Sequence, residues 1–284
     1  MVSPDVSQLF PFPLDGFQLE SIDALNQGHS VVVSAPTGSG KTLVGEYAIH
    51  RAIAHGQKVF YTTPLKALSN QKLRDFREQF GAENVGLMTG DLSVNREARV
   101  VVMTTEIFRN MLYAEVDEHD DPLADVESVV LDECHYMNDS QRGTVWEESI
   151  IHCPPSVQLV ALSATVANAG QLTDWIEKVH GPTRLVLSDY RPVPLQFSFC
   201  SAKGLHPLLN DQGTGIHPNC KVWRAPKGHK RKGRSPRPPQ PEAPPISFVV
   251  AQMGQREMLP AIYFIFSRRG CDKAVRDLGV QCLV

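Results

Sequence analysis

Residues 35–42 constrain the fold of this chain more than any other segment, because they join an apolar run at residues 30–34 to a helical pattern at residues 42–55. They depart from the phosphate-loop pattern Gly-x-x-x-x-Gly-Lys-Ser/Thr only at the first position. In such a unit the glycines let the backbone wrap closely, and inward N–H groups and the helix N-terminus attract anions. The segment therefore predicts a polyphosphate site formed by Ala35, Pro36, Thr37, Gly38, Ser39, Gly40, Lys41 and Thr42.

The last two residues of this loop indicate the ligand more closely. The Lys41 ammonium would reach the β- and γ-phosphates, and the Thr42 hydroxyl would ligate Mg²⁺. A glycine-rich turn by itself is often only a structural device, but a strand, Gly-Lys-Thr and a helix in this order favour a nucleotide. We therefore expect a nucleoside triphosphate site.

A second apolar run, at residues 128–131, ends in two adjacent carboxylates. Asp132 would hold Mg²⁺, directly or through water, and Glu133 would orient and deprotonate the attacking water. His135 needs another role, because Mg²⁺ prefers oxygen ligands and one histidine makes no zinc site. A lone Asp-Glu pair is as often a solvated acidic turn, so the catalytic interpretation depends on the phosphate loop upstream.

Several motifs together resemble one protein family. Asp-Glu-Cys-His at residues 132–135 resembles the Asp-Glu-x-His box of superfamily-two helicases, and Ser-Ala-Thr at residues 163–165 resembles their coupling motif. The chain is more specifically similar to the Ski-type (Ski-two-like) DExH-box RNA helicases, in an ordered series over residues 10–200. The other segments that carry this similarity are Pro-Phe-Pro-Leu-Asp-Gly-Phe-Gln (11–18), Thr-Thr-Pro-Leu-Lys-Ala-Leu-Ser-Asn-Gln-Lys (62–72), Met-Thr-Gly-Asp (88–91), Thr-Thr-Glu-Ile-Phe-Arg (104–109) and His-Tyr-Met-Asn-Asp (135–139).

The resemblance implies ATP as the nucleotide and gives further residues a role. The amide of Gln18 suits the adenine edge, with Phe10 or Phe12 stacking on the base; without the family, a surface glutamine is the simpler interpretation. The coupling residues would be His135, Ser163 and Thr165, which would link the state of the bound phosphates to the binding of the nucleic-acid strand. An isolated Ser-Ala-Thr is more typical of an ordinary strand-to-helix turn.

The resemblance also implies a single strand of nucleic acid as partner. Hydroxyls, backbone N–H groups and helix starts contact phosphate and sugar without reading bases. Thr63 and Thr105 can equally be plain N-caps, and the two interpretations are compatible. The residues expected to face the strand are Pro64, Lys66, Gly90, Asp91, Thr104 and Thr105.

The pattern of apolar runs predicts an α/β fold, a RecA-like P-loop NTPase domain whose mainly parallel sheet carries helices on both faces. Helical patterns include residues 64–80, which Gly81 would end, and residues 168–179. Each proposed motif follows a run, at the strand end where open α/β sheets bind ligands. The runs are residues 31–33, 58–62, 85–88, 100–104, 126–131 and 157–162.

Three regions are expected: a first RecA-like domain (1–200), a basic, proline-rich insertion or linker (201–250), and the truncated start of a second RecA-like domain (251–284). The last prediction rests on a resemblance of residues 261–266 to a first strand and of residues 267–274 to its helix. We therefore expect a fragment of a larger helicase, without the arginine finger that the family places later. Such a chain would bind ATP weakly, with negligible turnover and no unwinding.

Composition excludes several classes. With 42% hydrophobic and 21% charged residues, the 284-residue chain can fill one to two domains. It has neither an 18-residue apolar run nor a signal peptide, so we expect a cytoplasmic protein without membrane contact, or an organellar one if a transit peptide has been removed. The six cysteines favour buried thiols over disulfides. No structural metal is expected, because Cys200, His206, His217 and Cys220 match no common zinc spacing.

The net charge of −3 conceals an uneven distribution, because residues 212–241 contain eight Lys or Arg and no Asp or Glu. This stretch predicts a flexible basic segment. One hypothesis is that residues 221–237 hold RNA phosphates, with Trp223 as a stacking face. A solvated insertion with no specific partner is an equal alternative.

Taken together, the sequence predicts an ATP-dependent RNA helicase, of which this chain carries the ATP site, part of the nucleic-acid site and a connection to the remaining helicase domains. A DNA helicase of the related repair type is one alternative, since nothing in the sequence indicates which residues meet a 2′-hydroxyl. The other is a non-catalytic, nucleotide-gated RNA-binding or scaffold module.

Overall fold

The computed structural model describes residues 4–113, 121–139, 142–210, 212–220 and 243–279. The basic segment predicted at residues 221–237 therefore lies outside the described residues. By its internal contacts the chain divides into two units, Met1–Val193 and Pro194–Val284. The domain boundaries expected from the sequence stay predictions.

The first unit is built on one sheet, with strand order β4-β3-β5-β2-β6-β7-β1-β8 in the described part of the chain. Only the pairing of β4 with β3 is antiparallel; the other pairings are parallel, which confirms the mainly parallel sheet. The strands are β1 (Ser30–Ser34), β2 (Lys58–Thr63), β3 (Val85–Met88), β4 (Ser93–Val94), β5 (Val100–Thr104), β6 (Val126–Leu131), β7 (Gln158–Ser163) and β8 (Thr183–Leu187).

The helices cover both faces of this sheet, as predicted, because alternate residues of each buried strand point to opposite sides. In β2, Tyr61 joins one apolar cluster and Phe60 the other. The first cluster packs under α2, α3 and α4, and the second under α5, α6 and α7. Their bounds, with the short α1, are α1 (Val6–Leu9), α2 (Gly16–Asn26), α3 (Thr42–His55), α4 (Lys66–Phe80), α5 (Thr105–Leu112), α6 (Gly143–His152) and α7 (Ala169–Val179).

The predicted strands and helices of the first unit agree with the structure to within two residues at each end. Helix α4 begins two residues later than predicted, after Leu65 in extended conformation. Its end is as predicted, because Gly81 has a φ of +89° and the N–H of Gly81 donates to the carbonyl of Arg77. Strand β7 begins one residue later than predicted.

The second unit contains β9 (Ser198–Ser201) and β10 (Gly204–Pro207), which pair antiparallel, and helices α8 (Ile246–Gly254) and α9 (Arg268–Leu278). The helix expected from residue 267 is present as α9, and the Ser267 hydroxyl caps it by accepting from the N–H of Gly270. The prediction of a strand at residues 261–266 is wrong, because the structure has no regular secondary structure there. A strand needs a hydrogen-bonded neighbour, and in the described part of the chain none pairs with this segment, so Ile262, Phe264 and Phe266 are exposed.

In the ranges that the structure describes, no helix combines the length and the apolar character that crossing a bilayer requires. Of the four residues considered for zinc, His206 and His217 stack their rings at 6.0 Å, and the Cys220 thiol donates to the carbonyl of Pro207 at 3.2 Å. No three potential metal ligands lie together among the described residues.

The cysteines divide by burial. Cys134, Cys153 and Cys220 are buried, as expected, whereas Cys200 is half-buried and Cys271 is exposed. Burial in the apolar core raises the pKa of the Cys134 and Cys153 thiols to about 12 in each case. Cys134 is therefore a core residue within the acidic box, and its thiol is not a nucleophile or a metal ligand.

Alkylation of the native chain by iodoacetamide at pH 8 should spare Cys134 and Cys153 and modify Cys271. With a pKa of about 12, only on the order of 10⁻⁴ of each buried thiol is thiolate at this pH. Peptide mass spectrometry measures each site, and the chain unfolded in urea, where all thiols react, is the control. Equal native rates at Cys134 and Cys271 would contradict this burial.

A substitution at Gly86 in β3 can test how closely β3 approaches Asn95, the residue that follows β4. A Cβ at this position would lie 2.0 Å from the carbonyl oxygen of Asn95, which is backbone and cannot turn away. We expect Gly86→Ala to lower the free energy of unfolding by about 1–3 kcal/mol in urea titrations. Gly170→Ala in α7 is the control, because a Cβ there meets nothing within 4 Å; a similar loss in both variants would contradict the packing argument.

Candidate functional site

The loop between β1 and α3 has the geometry of an anion cradle. Gly38 and Gly40 have φ of +84° and +83°, the left-handed region that favours glycine. The loop is fixed at its start, where the N–H of Ala35 donates to the carbonyl of Ser163 at 3.1 Å. The Ser39 hydroxyl is buried and, among the described residues, lacks a hydrogen-bond partner. A buried polar group without a partner fits a loop that completes its bonds with a bound anion.

The acidic box follows β6, and its first carboxylate is tightly held. The Asp132 Oδ1 accepts from the N–H of Glu133 at 2.9 Å, and Oδ2 accepts from the Tyr61 hydroxyl at 2.8 Å. Burial, followed by the nearby Asp132 charge, raises the pKa of Tyr61 well above its usual value, so this hydroxyl stays protonated and donates. Glu133 has a φ of +53°, a strained conformation for a residue with a side chain.

One cleft of ≈ 440 Å³ brings the loop and the box together. Helix α4 also contributes to its wall, through Leu68, Gln71 and Lys72, which the sequence analysis did not assign to the nucleotide. The helical spacing contained the signal, because positions three and four after Leu68 lie on the same face. The loop and box residues that line the cleft are Thr37, Gly38, Gly40, Lys41, Thr42, Asp132 and Glu133.

These residues fit a triphosphate with Mg²⁺. The lining combines the Lys41 ammonium, a hydroxyl from Thr42 and the Asp132 carboxylate, which is a cation with the oxygen ligands that Mg²⁺ prefers. Lys72 adds a second ammonium. Burial raises the pKa of Glu46 on α3, and the Lys72 charge opposes this rise.

Gln18 lies behind the loop, and protein groups engage both ends of its amide. Its Oε1 accepts from the N–H of Asp15 at 2.9 Å, and its Nε2 donates to the carbonyl of Gly40 at 3.0 Å. The amide nitrogen carries a second N–H, so Gln18 can hold the loop and still donate to a base. Of the two candidate aromatics, Phe10 is buried edge-on against His50 and Phe12 is 53% exposed, so Phe12 is the more accessible to a base.

Of the three predicted coupling residues, His135 lies beside the acidic box and contacts Ala164, the residue between the other two. His135 Nδ1 lies 3.4 Å from the N–H of Ala164 and 3.3 Å from Glu133 Oε2. A neutral Nδ1 accepts from Ala164, and a protonated one pairs with Glu133, so one nitrogen faces both partners. Ser163 is buried and donates to the Ala164 carbonyl at 2.8 Å, whereas Thr165 is exposed.

A second cleft of ≈ 440 Å³ opens beside the first and contains four of the residues expected to face nucleic acid, Pro64, Lys66, Gly90 and Thr104. Asp91 forms an ion pair with Lys66 at its rim, and both side chains are exposed. The other lining residues could not be predicted from local sequence, because only the tertiary structure places α5 and the start of α6 here. They are Leu65, Glu106, Ile107, Asn110 and Arg142.

The Thr105 side chain is fully buried, and its hydroxyl donates to the Thr63 carbonyl at 3.3 Å, so it joins two strand ends. A contact between the Thr105 backbone N–H and nucleic acid stays a prediction. Neither Thr63 nor Thr105 is an N-cap, since the caps of α4 and α5 are Leu65 and Thr104. The Thr63 hydroxyl instead lies 2.7 Å from the Ser69 hydroxyl, because burial makes these groups satisfy one another.

The model of the DEAD/DEAH box helicase family matches residues 15–172. The chain is 44% identical to the DExH-box ATP-dependent RNA helicase DExH15, chloroplastic, of Arabidopsis thaliana, over 96% of this chain and 26% of that protein. It is 45% identical to a probable helicase HelY of Mycobacterium leprae (96% and 31%) and 42% identical to the exosome RNA helicase MTR4 of Homo sapiens (93% and 25%).

The chain therefore spans about a quarter to a third of the length of these relatives. Among solved structures, the DUF1998 helicase MrfA bound to DNA has the same fold, with a TM-score of 0.51 and 21% identity over 62% of this chain and 27% of that one. The relatives confirm the resemblance to DExH-box RNA helicases. The chain belongs to the DEAD/DEAH box helicase family.

Proposed function

We propose that this chain binds ATP with Mg²⁺ and a single strand of RNA, and that it acts as the first motor domain of an ATP-dependent RNA helicase. The observation that carries this proposal is the meeting of the phosphate loop and the Asp-Glu box across one cleft. The relatives named as RNA helicases support RNA as the substrate. In such an enzyme, cycles of ATP binding and hydrolysis drive translocation along the strand and its unwinding.

Four side chains of the first cleft, together with Gln18 behind the loop, then have a proposed role. Lys41, at the start of α3, neutralises the β- and γ-phosphates together with the loop N–H groups. Thr42 and Asp132 would hold Mg²⁺, which would supply positive charge beside the phosphates. Glu133 lies beside Asp132 with a carboxylate that can orient a water and take its proton. Gln18 fixes the loop and offers an N–H to adenine.

Helix α4 gives a physical link between the two clefts. Its first residue, Lys66, lines the second cleft, and within the next two turns Leu68, Gln71 and Lys72 line the first. A helix moves as a rigid body over this distance, so a shift caused by the phosphates reaches the residues that hold the strand. His135 and the Ser163 segment form the second link, from Glu133 to the end of β7.

The alternatives from the sequence remain testable beside this proposal. A DNA helicase would use the same phosphate contacts, and a nucleotide-gated binding module would use both clefts without turnover. Cytoplasmic location also stays a prediction, since the name of one relative places that protein in the chloroplast.

For ATP, we expect Lys41→Ala to weaken MgATP binding by about 10- to 100-fold, the effect of losing a hydrogen bond to a charged group. Calorimetric titration measures the affinity. Lys58→Ala is the matched control. Lys58 is the first residue of β2, so it lies at the end of the strands opposite the phosphate loop, and it pairs with Glu97. Glu133→Gln should keep MgATP affinity and remove any turnover. Unchanged affinity in Lys41→Ala would contradict the assignment of the phosphate loop.

For nucleic acid, Lys66→Ala should weaken single-stranded RNA binding and lower the slope of log K against log salt by about 0.7–1, the loss of one phosphate contact. Asp91→Asn frees Lys66 from its ion pair and should tighten binding about two- to fivefold. Fluorescence anisotropy over a salt series measures both, with Lys58→Ala as control. Equal salt slopes in Lys66→Ala and Lys58→Ala would count against this cleft.

The same titrations with matched RNA and DNA strands separate the substrate alternatives. Preference for RNA supports the RNA helicase, and preference for DNA supports the repair-type alternative. Steady-state hydrolysis with each strand tests the third alternative. RNA-stimulated turnover that disappears in Lys41→Ala would also overturn our expectation that the chain alone has negligible turnover.

A further inference from the structure

Tyr61 is a buried tyrosine to which none of the predicted roles applies. It lies in β2, one residue before the segment that resembles a helicase motif, and it is fully buried. Its hydroxyl does not end among apolar groups: it donates to Asp132 Oδ2 at 2.8 Å. A phenylalanine would fill the same space, so the hydroxyl needs its own explanation.

The bond restricts the side-chain rotations that orient the Asp132 carboxylate. The backbone of Asp132 is fixed, because its N–H donates to the Thr62 carbonyl at 3.0 Å. Oδ1 accepts from the N–H of Glu133 and Oδ2 from Tyr61, so each oxygen is held on one side. Each oxygen keeps a second lone pair, and Asp132 lines the nucleotide cleft.

The tyrosine ring is itself held by the helices on both sides of the cleft. A Cβ on Gly45 of α3 would lie 3.1 Å from the ring, so the glycine makes room for it. On the α4 side, Phe76 meets the ring edge-on with centroids 4.9 Å apart, and Lys72 Nζ lies 5.4 Å from the ring centroid. The hydroxyl thus has a position fixed by the helix that follows the phosphate loop and by α4.

We propose that Tyr61 is a positioning residue for Mg²⁺, whose hydroxyl sets the rotation of the Asp132 carboxylate so that a free lone pair points into the nucleotide cleft. The inference rests on the proposed function, in which Asp132 and Thr42 hold the ion. Outer-shell hydrogen bonds of this kind orient metal ligands, and their loss commonly costs about 10–100-fold in metal affinity.

Tyr61→Phe removes the hydroxyl and keeps the ring. Tyr47→Phe is the matched control, because Tyr47 is also fully buried and its hydroxyl donates to Asn26 Oδ1 at 2.8 Å, outside the residues that line the cleft. Both variants lose one buried hydrogen bond. A difference between them in Mg²⁺ dependence therefore reports on Asp132 and not on stability, which urea unfolding of each variant checks.

The measured quantity is the ratio of ATP affinity with Mg²⁺ to ATP affinity in EDTA, obtained by titration of each chain with ATP. We expect Tyr61→Phe to lower this ratio about tenfold or more with nearly unchanged affinity in EDTA, and Tyr47→Phe to leave it unchanged. In the Asp132→Asn background the Mg²⁺ gain should already be lost, so Tyr61→Phe should add nothing there.

The possible failures are distinguishable. If the wild-type chain does not bind ATP, or if Mg²⁺ adds nothing to its affinity, the proposed nucleotide site fails and this inference fails with it. If the wild type shows the Mg²⁺ gain and Tyr61→Phe keeps it, as Tyr47→Phe does, only the role of Tyr61 is overturned. A further loss from Tyr61→Phe in the Asp132→Asn background would likewise show that Tyr61 acts elsewhere.

Discussion

The chemistry of this protein depends on one constraint of its sheet: seven strands run parallel, and both faces are filled by apolar side chains. Few polar groups project from such faces, and those of the site gather where the strands end. The register then decides which groups meet. Ser34 pairs with Ser163, and Thr62 pairs with Leu131, so the phosphate loop, the acidic box and the start of α4 all emerge at one edge.

At that edge, charged and polar groups are buried, and hydrogen bonds offset the free-energy cost of removing them from water. A buried carboxylate is costly unless its oxygens are bonded, and Asp132 satisfies this with one backbone and one side-chain donor. The same logic explains Thr63, Ser69 and Thr105, whose hydroxyls bond within the protein. Ser39 on the phosphate loop is an exception, because its buried hydroxyl has no hydrogen-bond partner among the described residues.

Two kinds of feature could be predicted from the sequence. The strands and helices of the first unit follow from apolar periodicity, because strands buried on both faces are continuous apolar runs. The loop and the acidic box could be predicted because each is a short contiguous segment whose chemistry needs fixed spacing. The segment at residues 261–266 shows the limit: its composition favours a strand, but composition does not supply the neighbouring strand that it needs.

The sequence by itself therefore determined the fold class, the phosphate loop and the acidic box, since local pattern and spacing carry all three. Only the tertiary structure decided which residues from distant segments line the clefts. It brought Gln71 and Lys72 to the cleft that the phosphate loop lines, buried the side chains of Phe10 and Thr105, and directed the Tyr61 hydroxyl at Asp132. These outcomes depend on packing between elements far apart in the chain, and no local pattern encodes the distance between two side chains 71 residues apart.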